Sequence, residues 1–308
     1  MSTSASSWST TSLPFAALLR LLVDDAAVFP PGSSPLPVAV ADHREHRAAR
    51  YAGFVGPLLV RAGDAATTAA LLHAREGLGI ALVVRPGADP VVLPTAVDQL
   101  QREGRALVRG LELPVSDPIS LRPATELAVP VWLEVTQSRL GHDLDAVAAV
   151  GANAKLRTGG LTAADVPPSA VLADFIVECV SRALRFKLTA GLHHAVRAVE
   201  PASGLDQHGI ANVLAATAAA VSGGTPGEVR DVLDERDPEQ VRAGLLGLGE
   251  DDVDRLRARF VSFGCCGVTD PLYELADLLH QELHDPTDPT DQHDPNDPTD
   301  ENDPTAWS

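Results

Sequence analysis

Apolar residues along the chain fall into eight short runs, and stretches with helical spacing separate most of them. Within a run the apolar residues are nearly continuous rather than alternating with polar ones, which is typical of strands buried on both faces. Parallel strands joined by crossover helices produce this order, and eight such units predict a (β/α)8 TIM barrel. The runs are 18–23, 54–60, 79–84, 106–113, 129–135, 152–156, 184–188 and 259–263.

The stretch after the first run bears on the main alternative, an open doubly wound sheet. Such a sheet usually has a glycine-rich phosphate loop after its first strand. Here the sequence D-D-A-A-V-F-P-P occupies 24–31 instead. This difference favours the barrel.

The rhythm of strands and helices is interrupted between the seventh and eighth runs. Residues 191–258 show helical patterns only, which predicts a helical insertion that serves as a lid, a subunit contact or a structural elaboration. Residues 1–12 are predicted to be a flexible N-terminus. Residues 284–308 repeat D-P-T with almost no apolar residues and are predicted to be a disordered tail. The predicted barrel domain, with its insertion, is 13–283.

Composition narrows the range of functions. The chain is 45% hydrophobic, which is ample for a core, and its net charge of −18 includes eight acidic residues within 285–303. No basic stripe is visible, so nucleic acid is not a predicted partner. No apolar run is long enough to span a membrane, and the N-terminus does not resemble a signal peptide. The three cysteines lack C-x-x-C spacing, so we expect a reduced, cytoplasmic protein.

The chain contains two lysines, Lys155 and Lys187, beside 22 arginines. Each lysine ends a short apolar run and precedes a Thr/Gly turn. A buried amine that must lose its proton or form an imine can only be lysine, because guanidinium stays protonated. The two residues therefore predict a paired-amine pocket, in which one cation lowers the pKa of the other amine and frees it to attack a carbonyl.

Ionisable groups lie at the ends of nearly all of the predicted strands. In a barrel these ends meet at one mouth, so we expect the groups to line a common pocket. Of the adjacent aspartates Asp24 and Asp25, one is predicted to point into the barrel and the other to cap a loop. Buried ion pairs, for example Lys155–Glu134, remain an open alternative for the acidic residues. The residues are Asp24, Asp25, Arg61, Arg85, Glu112, Glu134, Lys155, Arg157, Lys187, His193, His194, Cys265 and Cys266.

Two short motifs carry a family resemblance. K-L-R-T-G-G at 155–160 and F-K-L-T-A-G-L at 186–192, with L-E-V-T at 133–136, resemble elements of class I aldolases of the deoxyribose-phosphate aldolase type. The resemblance implies that Lys155 forms the imine, that Lys187 lowers its pKa and that Glu112 shuttles protons. Glu134, in L-E-V-T, is a further catalytic candidate. The resemblance thus implies a carbon–carbon lyase that needs no cofactor.

The groups proposed to bind substrate surround these lysines. Arg157 with the turn Thr158, Gly159 and Gly160 is predicted to hold a phosphate, as is the backbone of 262–267. Arg61 and Arg85 are natural partners for a substrate carboxylate or phosphate. Asp24, His193 and Cys265 complete the predicted site. Its expected occupant is a small anionic or carbonyl compound, and a homo-oligomer is possible.

Two other functions remain open from the sequence. One of the adjacent histidines, His193 or His194, could complete a divalent-metal site with Glu112, Glu134 or Asp24. The chain would then be a metal-dependent lyase or hydrolase whose lysines bind anions. The other alternative is a barrel that binds phosphate or a phosphosugar without catalysis. Cys265 and Cys266 can include a nucleophile or an acid, although cysteine is also a common small buried residue.

Overall fold

The computed structural model of the chain describes residues 14–201, 203–281 and 283. The predicted flexible N-terminus, 1–12, and the predicted tail, 284–308, lie outside the described residues. Eight parallel strands form a closed barrel, in which the last strand pairs with both the first and the seventh. The TIM barrel is therefore confirmed. The strands are β1 (Val23–Asp25), β2 (Val55–Arg61), β3 (Leu78–Val83), β4 (Ala106–Pro114), β5 (Val131–Glu134), β6 (Asn153–Arg157), β7 (Phe186–Thr189) and β10 (Phe260–Cys265).

Helices follow the strands in the order that the apolar pattern predicts. Their apolar side chains, together with the outward-facing side chains of the strands, form the main hydrophobic core. The helices outside the insertion are α1 (Phe15–Leu19), α2 (Leu36–Ala48), α3 (Ala65–Leu71), α4 (Leu93–Gln101), α5 (Pro118–Thr125), α6 (Leu140–Ala149), α7 (Ser169–Ser181) and α12 (Thr269–Leu279). Short 3-10 turns lie at 52–54, 62–64, 90–92, 102–104, 137–139 and 163–165.

The first apolar run does not form one strand. Its residues Leu18 and Leu19 belong to α1, and β1 begins only at Val23. Both leucines are fully buried. A short apolar run has no periodicity that separates a buried strand from a buried helix, which is why the pattern alone gave the wrong element here.

The insertion also differs from its prediction. It contains a two-stranded antiparallel pair, β8 (Ala198–Val199) and β9 (Asp206–Gln207), before its helices begin. The first helix, α8, is buried on nearly all sides and packs against α7 and the three helices that follow it. A helix that is apolar all round belongs inside a protein. The insertion therefore adds an outer helical layer. Its helices are α8 (Ile210–Val221), α9 (Pro226–Asp234), α10 (Pro238–Leu246) and α11 (Glu250–Arg257).

The barrel interior contains a second, much smaller group of buried apolar side chains. Ala26, Leu59 and Ala81 pack together, with Phe29 and Val83 against them. We call Ala26, Leu59 and Ala81 the apolar cluster. It comes from β2, β3 and the end of β1, so one side of the barrel interior is lined by small apolar groups.

Candidate active site

The two lysines lie side by side on adjacent strands. Lys155 on β6 pairs in register with Lys187 on β7, and Glu134 on β5 pairs in register with Lys155. Residues in register on neighbouring parallel strands point to the same face of the sheet. The three side chains therefore enter the barrel together, as the sequence predicts for the lysines.

Glu112 on β4 joins the two lysines. Lys155 Nζ donates to Glu112 Oε2 at 2.8 Å and lies 2.9 Å from Glu134 Oε2. Lys187 Nζ donates to the other oxygen of Glu112, Oε1, and to Asp24 Oδ2. We call these five residues, Asp24, Glu112, Glu134, Lys155 and Lys187, the charged cluster. The buried ion pair Lys155–Glu134, which the sequence left open, is present within it.

Asp24 is held by two further features of the barrel. Ser262 on β10 donates a hydrogen bond of 2.9 Å from its Oγ to Asp24 Oδ2. Gly56 on β2 leaves the space that Asp24 Oδ1 occupies, because a Cβ on Gly56 would overlap that oxygen. The neighbouring Asp25 accepts from the Ala27 N–H at 3.0 Å and pairs with His43 on α2. One aspartate thus points into the barrel and the other caps a loop, as predicted.

The electrostatics of the lysines differ from the expectation. Burial alone would lower the pKa of Lys155, but Glu112 and Glu134 outweigh burial and raise the pKa above its ordinary value. Burial would also lower the pKa of Lys187, but Asp24 and Glu112 outweigh burial and raise that pKa well above its ordinary value. Any lowering of the Lys155 pKa by Lys187 is therefore outweighed, and the pKa of Lys155 is not lowered overall as predicted. Three carboxylates surround the amines, and their attraction for protons exceeds the mutual repulsion of the two ammonium groups.

The three carboxyl groups are not equivalent. Burial would raise the pKa of Glu112, but Lys155 and Lys187 outweigh it and lower that pKa to about 2. The pKa of Glu134 is lowered as well, because Lys155 and Arg157 outweigh its burial. Burial does raise the pKa of Asp24, since Lys187 offsets it only in part. Asp24 is therefore the carboxyl group of the cluster that holds a proton most readily.

The two lysines are almost equally buried, but the carboxylates around them differ in exposure. Lys155 is 4% exposed and Lys187 is 3% exposed. The side chain of Glu134, which contacts Lys155, is 26% exposed, and Arg157 beside it is 48% exposed. The carboxylate partners of Lys187, by contrast, are both buried. A ligand entering from the mouth would meet Arg157 and Glu134 first and then Lys155.

Two surface concavities, of about 310 and 360 Å³, lie away from the charged cluster. One is lined by His194, Ala195 and Glu274, and the other by Arg102 and Arg105 together with alanines of α3. Lys155 itself is buried, so a ligand that reaches its amine must displace side chains at the mouth.

The turn after β6 packs closely against its surroundings, including the segment after β7. The Thr158 N–H donates to Thr189 O at 2.8 Å, and its hydroxyl donates to Ala190 O at 2.7 Å. A Cβ on Gly159 would lie 2.5 Å from the Gly191 N, and one on Gly160 would lie 2.5 Å from Asp165. The donors of Thr158 are used within the protein. The two glycines allow close packing, and the phosphate role of this turn, which also involves Arg157, stays a prediction.

The segment after β7 has an unusual backbone. Ala190, Gly191 and Leu192 have φ of 60°, 70° and 58°, so three consecutive residues are left-handed. Residues other than glycine rarely adopt this backbone region, and such a conformation persists only where the surrounding structure stabilises it. The contact between Gly159 and Gly191 supplies part of that support. The loops that follow the two lysine-bearing strands are thereby locked together.

The remaining predicted residues surround the mouth without joining the charged cluster. Arg61 donates to Val28 O at 2.9 Å and lies over the ring of Phe29. Arg85 is exposed in the turn after β3. His193 Nδ1 lies 3.4 Å from Cys265 Sγ.

The contacts of His193 and His194 do not form the predicted metal site. His194 pairs with Glu200 and Glu274 on the protein surface, and His193 contacts a cysteine. Within 14–201, 203–281 and 283, no group of three or more His, Cys, Asp or Glu side chains is arranged to hold a metal ion. The carboxylates of the charged cluster face ammonium groups instead. The donors present therefore do not fit the predicted metal site.

The roles of three residues in the site are not recognisable from the sequence alone. Ser262 and Gly56 position Asp24. Trp132 on β5 places its ring 5.6 Å from Lys187 Nζ, at a distance where the π face attracts a cation. Alternation along β10 and β5 from known inward residues could have indicated Ser262 and Trp132 once the register was known.

The fold and site together define a (β/α)8 barrel with a buried lysine–carboxylate cluster at the carboxyl-terminal ends of its strands. Comparisons with protein-family models, with curated proteins and with solved structures find no match to this chain. In the part of the chain that the structure describes, none of the helices combines the length and apolar character that a membrane crossing requires.

Proposed function

We propose that this protein is a carbon–carbon lyase of the class I aldolase type, in which Lys155 forms an imine with a small carbonyl substrate. The observation that supports the proposal is the pair Lys155 and Lys187, in register on adjacent strands and both hydrogen-bonded to Glu112. TIM-barrel interiors are ordinarily filled by branched apolar residues. Buried ion pairs regain their desolvation cost only in part, so groups kept there are candidates for chemistry.

Lys155 is the better nucleophile of the two. It contacts the partly exposed Glu134, whereas Lys187 is enclosed by Asp24 and Glu112. Lys187 would stay protonated and keep positive charge beside the reacting carbon. This assignment also agrees with the roles that the aldolase resemblance implies.

The raised pKa of Lys155 requires a proton acceptor inside the site. Glu134 lies 2.9 Å from Nζ and is partly exposed, so it can pass the proton to solvent, whereas Glu112, with a pKa of about 2, is the poorer acceptor. The free amine then adds to the carbonyl carbon to give a carbinolamine. Loss of water gives a protonated imine. A carboxylate then takes the proton of the substrate's β-hydroxyl, the Cα–Cβ bond breaks to release an aldehyde or ketone, and the electron pair of that bond passes to the imine to give an enamine.

Reductive trapping tests the proposal. The full chain is incubated with a panel of small aldehydes and ketones and sodium cyanoborohydride, and peptides are analysed by mass spectrometry. We expect a covalent adduct on Lys155 that forms faster as the pH rises, because its pKa is raised and the amine must lose a proton. Lys155→Arg should abolish the adduct, and Lys187→Arg, which keeps a cation in place, is the matched control.

Absence of an adduct with every member of the panel would count against imine chemistry. An adduct on Lys187 alone would reverse the assignment of the two lysines. An adduct that forms equally well on unfolded chain would show that the site contributes nothing.

A further inference from the structure

The end of the barrel opposite the proposed active site is rich in arginine. The segments that join each α-helix to the next barrel strand lie at this end, because the helices run antiparallel to the strands. In these segments arginines outnumber carboxylates, although the protein as a whole has a net charge of −18. The residues are Arg20, Arg50, Arg75, Arg102, Arg105, Arg182, Arg185 and Arg259, against Glu76, Glu103 and Glu126.

Four arginines at this end form one group. Arg257, the last residue of α11, donates to Arg20 O at 2.7 Å. Arg259 donates to Ala183 O at 2.9 Å, in the segment that also carries Arg185. Most of the other arginines form ion pairs with Asp or Glu, whereas these four pair with no carboxylate of the described residues. We call Arg20, Arg185, Arg257 and Arg259 the arginine face.

The positive charge of the arginine face is poorly compensated. Burial lowers the pKa of Arg257 to about 10, and the charge of Arg185 acts in the same direction, although Asp24 opposes both. Arg20 and Arg185 are exposed. Arg185 lies over the ring of Trp132, with its Cζ 5.8 Å from the ring centroid, and its guanidinium donates to no described residue. A group of carboxylates placed here would reduce the repulsion and accept these free donors.

The segment 284–308 of this chain has the complementary charge. It contains eight acidic residues and neither Lys nor Arg. Seven of the eight are aspartates at every third position from Asp285 to Asp303. Proline favours the polyproline II conformation, which has three residues per turn, so this period would place all seven aspartates on one side of a bound segment. We call 284–308 the acidic segment.

The position of α12 brings the acidic segment to the arginine-bearing end. Tyr273 in α12 contacts Tyr51, which lies in the segment before β2, with ring centroids 6.3 Å apart. From there α12 continues toward the same end and finishes at Leu279. The acidic segment begins a few residues later. Fully extended, it reaches roughly 80 Å, which is ample to cross the end of the barrel.

We propose that the acidic segment binds the arginine face of its own chain. Its aspartates would accept hydrogen bonds from Arg20, Arg185 and Arg259. Single exposed ion pairs are weak, so the contact depends on several of them and on the covalent connection, which keeps the local concentration of the segment high. The arginine face lies at the opposite end of the barrel from Lys155, so this inference does not depend on the proposed imine chemistry.

Arginine footprinting tests the contact. Phenylglyoxal is applied to the full chain and to a full-length variant in which each Asp of 285–303 is replaced by Asn and Glu301 by Gln. Mass spectrometry then quantifies each arginine peptide. We expect Arg20 and Arg185 to react roughly threefold more slowly in the wild type, and about 1 M salt should remove this protection. Arg85, exposed in the turn after β3, is the internal control and should react equally in both proteins.

Equal rates at Arg20 and Arg185 in the two proteins would overturn the proposal and leave the arginine face for another anionic partner. Protection that appears only at high protein concentration would show that the segment binds a second copy, which contradicts a contact within one chain.

A labelled peptide with the sequence of 284–308 tests the site directly by fluorescence anisotropy. It should bind the neutralised variant more tightly than the wild type, whose own segment competes. Adding Arg20→Gln and Arg185→Gln to the neutralised variant should abolish this binding, and Arg85→Gln is the matched control. Binding that survives both substitutions would exclude the arginine face as the site. Circular dichroism checks that the variants are folded, and the footprinting of Arg20 and Arg185 does not depend on these substitutions.

Discussion

The two sides of the barrel interior show how differently one barrel can be lined. The apolar cluster buries alanine and leucine side chains, whereas the charged cluster places five ionisable groups within the same barrel. Asp24, on β1, belongs to the charged cluster although its strand borders the apolar side. Charge is thus not a general property of the interior. It is concentrated where β4 to β7 meet, the region on which the proposed imine chemistry rests.

The strongest test of this difference removes one cation. Lys187→Met leaves Asp24 without its ammonium partner, so we expect a loss of roughly 3–5 kcal/mol in the free energy of unfolding. Addition of Asp24→Asn should restore part of this loss, because the uncompensated charge is then gone. Urea denaturation measures both variants.

Leu59→Ala in the apolar cluster is the comparison variant. It should also destabilise the protein, but its effect should add to that of Asp24→Asn without recovery. A loss below about 1 kcal/mol for Lys187→Met would mean that the charged cluster is not tightly coupled.

Acid should reduce the contribution of the charged cluster to the free energy of unfolding and leave that of the apolar cluster unchanged. The pKa of Glu112 is about 2 in the folded protein, below its ordinary value of 4.5. Its ionised form therefore stabilises the fold above pH 4.5, and this contribution, roughly 3 kcal/mol, is lost as the pH falls toward 2. The raised pKa of Asp24 acts with the opposite sign over an overlapping range and reduces the net change.

Unfolding free energies measured across the acid range check this expectation. Glu112→Gln should flatten the pH dependence, whereas Leu59→Ala should shift the whole curve down without altering its slope. Identical slopes for the wild type and Glu112→Gln would contradict the assignment.

A smaller effect is expected at the boundary between the two sides. Gly56→Ala introduces a Cβ where Asp24 Oδ1 lies and should cost about 1–3 kcal/mol as the carboxylate moves away from Lys187. Gly63→Ala is the matched control, because a Cβ there meets no atom within 4 Å. Thermal or urea unfolding compares the two, and equal effects would show that Gly56 does not serve Asp24.

Much of this architecture follows from local pattern. Continuous apolar runs identified the barrel, and the position of each lysine at the end of its run placed both at the mouth. Asp24 and Asp25 divided their roles as expected because successive residues of a strand face opposite sides.

Other features depend on three-dimensional facts that no local pattern contains. The raised pKa of Lys155 arises because Glu112, 43 residues earlier, reaches the amine across the barrel. The pairing of β1 with β2 shifts register between Val23 and Asp25, so the place of Gly56 beside Asp24 could not be counted along the strands. The close packing of Gly159 against Gly191 joins residues that are 32 positions apart, so the sequence could not indicate it.

The contact of Gly159 with Gly191 limits how this protein could diversify. Because the loops after β6 and β7 pack backbone against backbone, a larger residue or an insertion in one of them requires a compensating change in the other. The loops after β2, β3, β4 and β5 carry no such constraint from this contact. Descendants that acquired a new substrate would accordingly vary in those loops and inherit the two lysine-bearing turns as a single unit.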